Sequence, residues 1–93
     1  MKSYAAVDSI EGQHVRCELE LLDLQESEHT SFWEKDCIMV DIPLEVVEQA
    51  VADVSEKDVL ILEHDEGNVT HICGRDEAEM MRRIEEYRAI CQG

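Results

Sequence analysis

The chain has 93 residues, 44% of them apolar and only 4% aromatic, and a net charge of −15. That suffices for one domain over residues 1–93, with a core of Val, Ile, Leu, Met, Ala and Cys, and it is too apolar for a disordered acidic segment. A field of this sign repels phosphate backbones and anionic lipid, so neither nucleic acid nor a membrane is an expected partner.

Tyr4 to Ile10 reads as a first strand and His14 to Leu21 as a second. Gly12 between them supplies the positive φ of a tight hairpin turn, and Asp8 is placed to brace that turn. In the second strand Val15, Cys17, Leu19 and Leu21 alternate with His14, Arg16, Glu18 and Glu20. One face should pack on the core and the other should meet water.

Leu22 to Lys35 breaks this pattern. Acidic and turn-forming residues surround Phe32 and Trp33. A connection this long is uncommon in a small domain and often has a role. Two readings stand for Trp33: a lid folded back over the core, or an exposed contact tip.

Cys37 to Leu62 is the centre of the chain, read as strand, helix, strand. Ile38, Val40 and Ile42 alternate with Met39 and Asp41. Pro43 suits a first helical turn, and Leu44, Val47, Val51 and Val54 then follow helical spacing, giving a short helix over 44–52. Val59 to Leu62 is a continuous apolar run, as in an interior strand.

Asp65-Glu66-Gly67-Asn68 makes a second hairpin turn, leading to a fifth strand from Val69 to Cys73. Asp76 is a fitting N-cap, with Glu79 completing a capping box. Met80, Ile84, Tyr87 and Cys91 form the seam of a closing helix over 76–91, and Glu79 and Arg83 form an i, i+4 pair. The predicted fold is therefore α+β, in the order β-β-β-α-β-β-α. It is a five-stranded, mostly antiparallel, bent sheet or small open barrel, with the short helix at one end and the C-terminal helix closing it. A plain sheet with both helices on one side is the other arrangement.

Charge is unevenly spread: residues 1–74 carry −14 and the last 19 only −1. Arg75, Arg82, Arg83 and Arg88 are interleaved with acids and read as an ion-paired helix face. The opening residues Met1 to Asp8 show no signal-peptide pattern, and no stretch reaches membrane-spanning length. Cys17, Cys37, Cys73 and Cys91 form no C-x-x-C pair, so reduced thiols in a cytoplasmic protein are expected, with two disulfides the alternative.

Catalytic patterns are absent: there is no G-x-S-x-G, no Gly-rich phosphate loop and no H-E-x-x-H. The chain is not expected to be an enzyme or to hold a cofactor. His71 and Cys73, with Cys17 or His64, have the ligand types of a zinc site at spacings that fit no zinc arrangement. Asp8 and Glu11 are a possible acid–base or cation pair with an ordinary reading as turn brace and solvated acid. Cys91 near Arg88 is the one candidate for a reactive thiol on this acidic surface, but its seam position argues burial.

Several segments together resemble the small bacterial proteins catalogued as domain of unknown function three-thousand-and-six. They are Val7-Asp8-x-x-Glu11-Gly12, then Val15 and Glu18, Ile42-Pro43, Asp58-Val59-Leu60, the Gly67 turn, and Asp76 with Arg82-Arg83-x-x-Glu86. The resemblance implies a compact β domain closed by a helix and no assigned activity. Its members often stand near metallo-β-lactamase-like proteins, which implies an accessory role. Two departures matter. Lys57 stands where the family tends to have Gly, and Leu22 to Lys35 is longer than the family's connection.

The functional expectation is a non-catalytic interaction or accessory module that binds a protein or itself, with Phe32 and Trp33 as its contact residues. A metal-binding or enzymatic protein using His71 and Cys73 is one alternative. An acidic decoy that competes with nucleic acid for a basic protein is another.

Overall fold

The structure is a computed structural model and describes residues 1–92. Five strands form one antiparallel sheet in the order β3-β2-β1-β4-β5. They are β1 (Lys2–Glu11), β2 (His14–Glu20), β3 (Cys37–Pro43), β4 (Val59–Asp65) and β5 (Asn68–Arg75). Helix α2 (Leu44–Ala50) follows β3, and α3 (Glu77–Gln92) follows β5. The predicted α+β class, the strand set and both helices are present.

The sheet is bent enough for its two edges to approach. β3 and β5 are at opposite ends of the strand order, yet a Cβ on Gly67, in the β4–β5 turn, would fall 2.5 Å from Cδ1 of Ile38 on β3. Gly67, with φ at +93°, is favoured by the turn itself, while the contact is with the end of the Ile38 side chain, which is 37% exposed and can shift. Register shifts at Val7/Ser9 in β1 and at two places in the β4–β5 pairing add to the bend.

The core fills the inside of this half-barrel. Ala5, Val7, Val15, Cys17, Leu19, Leu60, Leu62 and Ile72 meet there, with Ile42 from β3. Alternation with period two dictates that choice of side chains. Val47 and Val51 enter from α2 and its C-terminal end, so α2 plugs the barrel mouth. Pro43 closes β3 as the N-cap of α2, just before the first helical turn it was expected to begin, and α2 ends at Ala50, short of the predicted 52.

His64 is a buried pillar of the same half-barrel, at 3% exposure. Ser3 Oγ donates to the carbonyl of Leu22 at 2.5 Å, so the 2.8 Å contact between Ser3 Oγ and His64 Nε2 takes its hydrogen from the imidazole. Nδ1 then accepts the Gly67 N–H at 3.1 Å. This fixes the neutral Nε2–H tautomer.

Four readings change. Leu22 to Lys35 is not a plain loop. It holds α1 (Leu24–Glu28) and a 3-10 turn (Phe32–Glu34), so the order gains a helix between β2 and β3. The outer face of β2 does not all meet water, because Glu20 is 4% exposed under α1 and α3. Asp8 sits exposed at the β1 bulge rather than bracing the hairpin turn. The seam of α3 is only half a seam. Met80 and Ile84 are half-buried, but Tyr87 and Cys91 are exposed. At 1.5 Å per residue its 16 residues run about 24 Å, and every residue from Glu85 to Cys91 is exposed. No helix among the described residues is long and apolar enough to cross a membrane.

Candidate protein-interaction site

The outer face of the sheet carries a charged cluster that ties α1 and α3 to it. Asp23 caps α1 by accepting the Glu26 N–H at 2.8 Å. This sets Ser27 inward, where its hydroxyl donates to Oε1 of Glu20 at 2.5 Å and accepts from Nζ of Lys35 at 2.9 Å. Nζ of Lys35 also lies 3.6 Å from Oε2 of Glu20. Arg83 completes the charge pairing of Glu20 from α3 at 2.8 Å. Its guanidinium also stands 5.2 Å from the ring centre of Tyr4 on β1.

Asp76 Oδ1 accepts the Glu79 N–H at 2.9 Å, so half of the predicted capping box forms. The other half does not, because the Glu79 carboxylate turns to Arg83 at 2.8 Å and to Arg82 at 2.5 Å. Burial pushes the Glu79 carboxyl up, but the hydrogen bonds from Arg82 and Arg83 outweigh it and hold it below its ordinary value. Arg82 reaches on to Glu86 at 2.9 Å. The predicted Glu79–Arg83 pair is therefore one link of a chain of charges from Glu20 to Glu86.

Between this cluster and the protruding half of α3 lies a groove of about 880 Å³. Trp33, Tyr87 and Ile90 line it, as do Ala6 and Cys37 on the sheet and Glu18 and Glu28. Trp33 is 74% exposed, Tyr87 65% and Ile90 57%. Trp33 is thus an exposed tip and not a lid. Phe32's side chain lies outside the described residues. Tyr87 was missed as a surface residue because it was folded into a presumed seam, and Ile90, which falls off that seam, was given no role. Their signal was present: Tyr87, Ala89, Ile90 and Cys91 spread round the helix instead of continuing one stripe.

The other candidates do not converge. His71 and Cys73 are exposed on the edge strand β5, Cys17 is fully buried in the core, and both ring nitrogens of His64 are occupied. Among the described residues no group of three His, Cys, Asp or Glu could hold a metal ion. All four cysteines are free. Burial pushes the Cys17 and Cys37 thiols up to about 11, with Asp41 adding to the first and Glu18 and Glu20 to the second. Such thiols are weak nucleophiles at neutral pH. Cys91 is exposed, contrary to its reading as a seam residue. Ser27 and Lys35 make a hydroxyl–amine contact, but Ser27 is 2% exposed and its hydrogen is committed to Glu20. Their geometry latches α1 to the sheet.

Comparison with known protein families, with curated proteins and with solved structures finds no match to this chain.

Proposed function

We propose that this chain is a non-catalytic protein-interaction or accessory module whose binding surface is the groove between α3 and the α1–Trp33 segment. The observation that carries the reading is the convergence of Trp33, Tyr87 and Ile90, all more than half exposed, on one groove. Large apolar side chains gathered on a surface have a hydration cost that a partner relieves. Trp and Tyr are also among the residues most enriched at binding hot spots. The charged cluster beneath holds both walls in place, so little ordering is left to accompany binding.

The resemblance to domain of unknown function three-thousand-and-six supports an accessory role. Under that proposal, Leu22 to Lys35 is what sets this chain apart from the family, and it contributes one wall of the groove. Reduced thiols fit the proposed cytoplasmic setting.

Trp33→Ala tests the reading. Removing a side chain that is 74% exposed should change stability by no more than about 0.5 kcal/mol. The variant should melt like the parent and lose partner capture or self-association. A large drop in melting temperature with association unchanged would make the segment a piece of core and end the reading.

A further inference from the structure

The groove has a charge that follows from how its cations are placed. Lys35, Arg82 and Arg83 line it. Lys35 lies 3.6 Å from Glu20, and Arg83 lies 2.8 Å from both Glu20 and Glu79. Arg82 lies 2.5 Å from Glu79 and 2.9 Å from Glu86. Each cation is neutralised where it stands. Glu18 and Glu28 line the same groove and make no ion pair among the described residues. What remains over the groove is negative, on a molecule whose net charge is −15.

An apolar strip beside unpaired carboxylates has a definite complement. We infer that the groove takes a short amphipathic helix of a protein partner, with one apolar stripe flanked by Lys and Arg. This rests on the groove being an interaction site and names the chemistry of its occupant. Apolar side chains at i, i+3, i+4 and i+7 lie against Trp33, Tyr87 and Ile90. Lys and Arg on the flanks reach Glu18 and Glu28, and one of them can stack on the Trp33 ring. Nucleic acid and anionic lipid carry the wrong sign. A second copy brings another −15 to the contact, so it would associate better as salt screens that repulsion. A cationic partner does the reverse and weakens with salt.

The chain has a single tryptophan, and it is in the groove, so its fluorescence reports occupancy directly. The probe is a Trp-free helical peptide of Leu and Lys, about 14 residues or four turns long, with the leucines on one face. One control has the same composition scrambled to break the stripe, and another keeps the stripe with Glu in place of Lys. Full-length protein is titrated with each at low and moderate salt. The striped cationic peptide should shift Trp33 emission to the blue saturably and bind more weakly as salt rises. Ile90→Ser should weaken it about tenfold, one hot-spot contact. Val46→Ser, at an exposed apolar residue on α2 outside this groove, should leave it unchanged.

Equal binding of the scrambled peptide, or an Ile90→Ser variant that binds like the parent, would overturn the inference by reducing it to unspecific charge attraction. Equal binding of the Glu peptide would overturn the cationic partner but keep the groove as an interaction site. So would self-association that grows with salt and falls in Ile90→Ser, with no peptide bound. If no peptide binds and the chain remains monomeric at every salt concentration, both the inference and the interaction reading fall.

Discussion

Arg83 on α3 and Glu20 on β2 are joined across the outer face of the sheet, with Nη2 2.8 Å from Oε2. Glu20 is 4% exposed, and it answers Lys35 and Ser27 as well. One buried carboxylate thereby fixes α1, the segment after Trp33 and α3 to a single strand. Burying an ion pair is not stabilising in itself, but removing one partner leaves the others in low dielectric without a counter-charge.

Glu20→Gln should therefore cost about 3 kcal/mol, as expected for breaking a buried charged network. The loss should appear in chemical denaturation at neutral pH. A double-mutant cycle with Arg83→Met should show coupling, because each single change already removes the same pair. A cost under about 0.5 kcal/mol would mean that the Gln amide serves Ser27 and Lys35 as well as the carboxylate does, and that Met80, Ile84 and the Arg83–Tyr4 contact suffice to hold α3.

Glu79 gives the network a pH dependence. Its carboxyl is held below the ordinary 4.5 in the folded chain, because the bonds from Arg82 and Arg83 outweigh its burial. A lowered folded value means that the folded state binds the proton less readily than the unfolded state. The contribution to stability is thus complete above about 4.5 and disappears as pH falls from there through the folded value. Glu79→Gln should remove that part of the acid dependence and cost about 1–3 kcal/mol at neutral pH. Thermal melts of both proteins between pH 7 and 3 check this. Parallel curves over the acid limb would assign the loss to other carboxylates.

Much of the fold was legible in the sequence because the inside of the half-barrel obeys simple periods. Val15, Cys17 and Leu19 alternate, and Val47 and Val51 fall at helical spacing, and each is buried. The Asp76 cap was legible as a local rule. What failed was what depends on the covering of the outer face. Glu20 looked solvated because nothing in its strand says that α1 and α3 will lie over it. α1 was missed although Asp23 and Glu26 stand at capping spacing, because only five residues follow a helical path and no apolar stripe runs through them. Trp33 stands out in the sequence by its setting among acids in a long connection, but that setting does not choose between a lid and a tip. The opposite wall went unseen: Tyr87 because continuing the helix seam is the default when the sheet's extent is unknown, and Ile90 because it falls off that seam.

Lys57 is a local strain with a definite remedy. Asp58 N–H donates to the Ser55 carbonyl at 3.2 Å across a turn, and Lys57, its third residue, has φ at +75°. That position of the turn favours Gly. A side chain there costs on the order of 1 kcal/mol, while Gly loses more conformational freedom on folding. The first effect should win, and Lys57→Gly should stabilise by about 0.5 kcal/mol, with Lys57→Ala giving little or nothing. The exposed Lys side chain has no hydrogen bond or ion pair to lose among the described residues. A Gly variant less stable than the Ala variant would show that chain entropy dominates this turn.

Salt pits two parts of the electrostatics against each other. The coulombic attraction within the pairs around Glu20, Glu79 and Asp58, the last 3.0 Å from Arg75, acts for the folded chain, and the repulsion among the remaining carboxylates acts against it. The partners of these pairs are within 3.6 Å of one another, and Glu20, Asp58 and Glu79 are almost fully covered. Contacts that short and that shielded respond little to a screening length of about 10 Å at 0.1 M. The repulsion is different. It acts over the whole surface between exposed acids such as Glu18, Glu28, Glu45, Glu48, Glu56 and Asp65. Its separations are comparable with the screening length, so salt removes mainly this term. Melting temperature should therefore rise between about 0.01 and 0.3 M sodium chloride and then level off. The rise should survive in Trp33→Ala, which leaves every charge in place, and that separates a charge effect on folding from one on self-association. A melting temperature that falls over this range would show that the Glu20 and Glu79 networks lie closer to water than their burial indicates, and that they outweigh the repulsion.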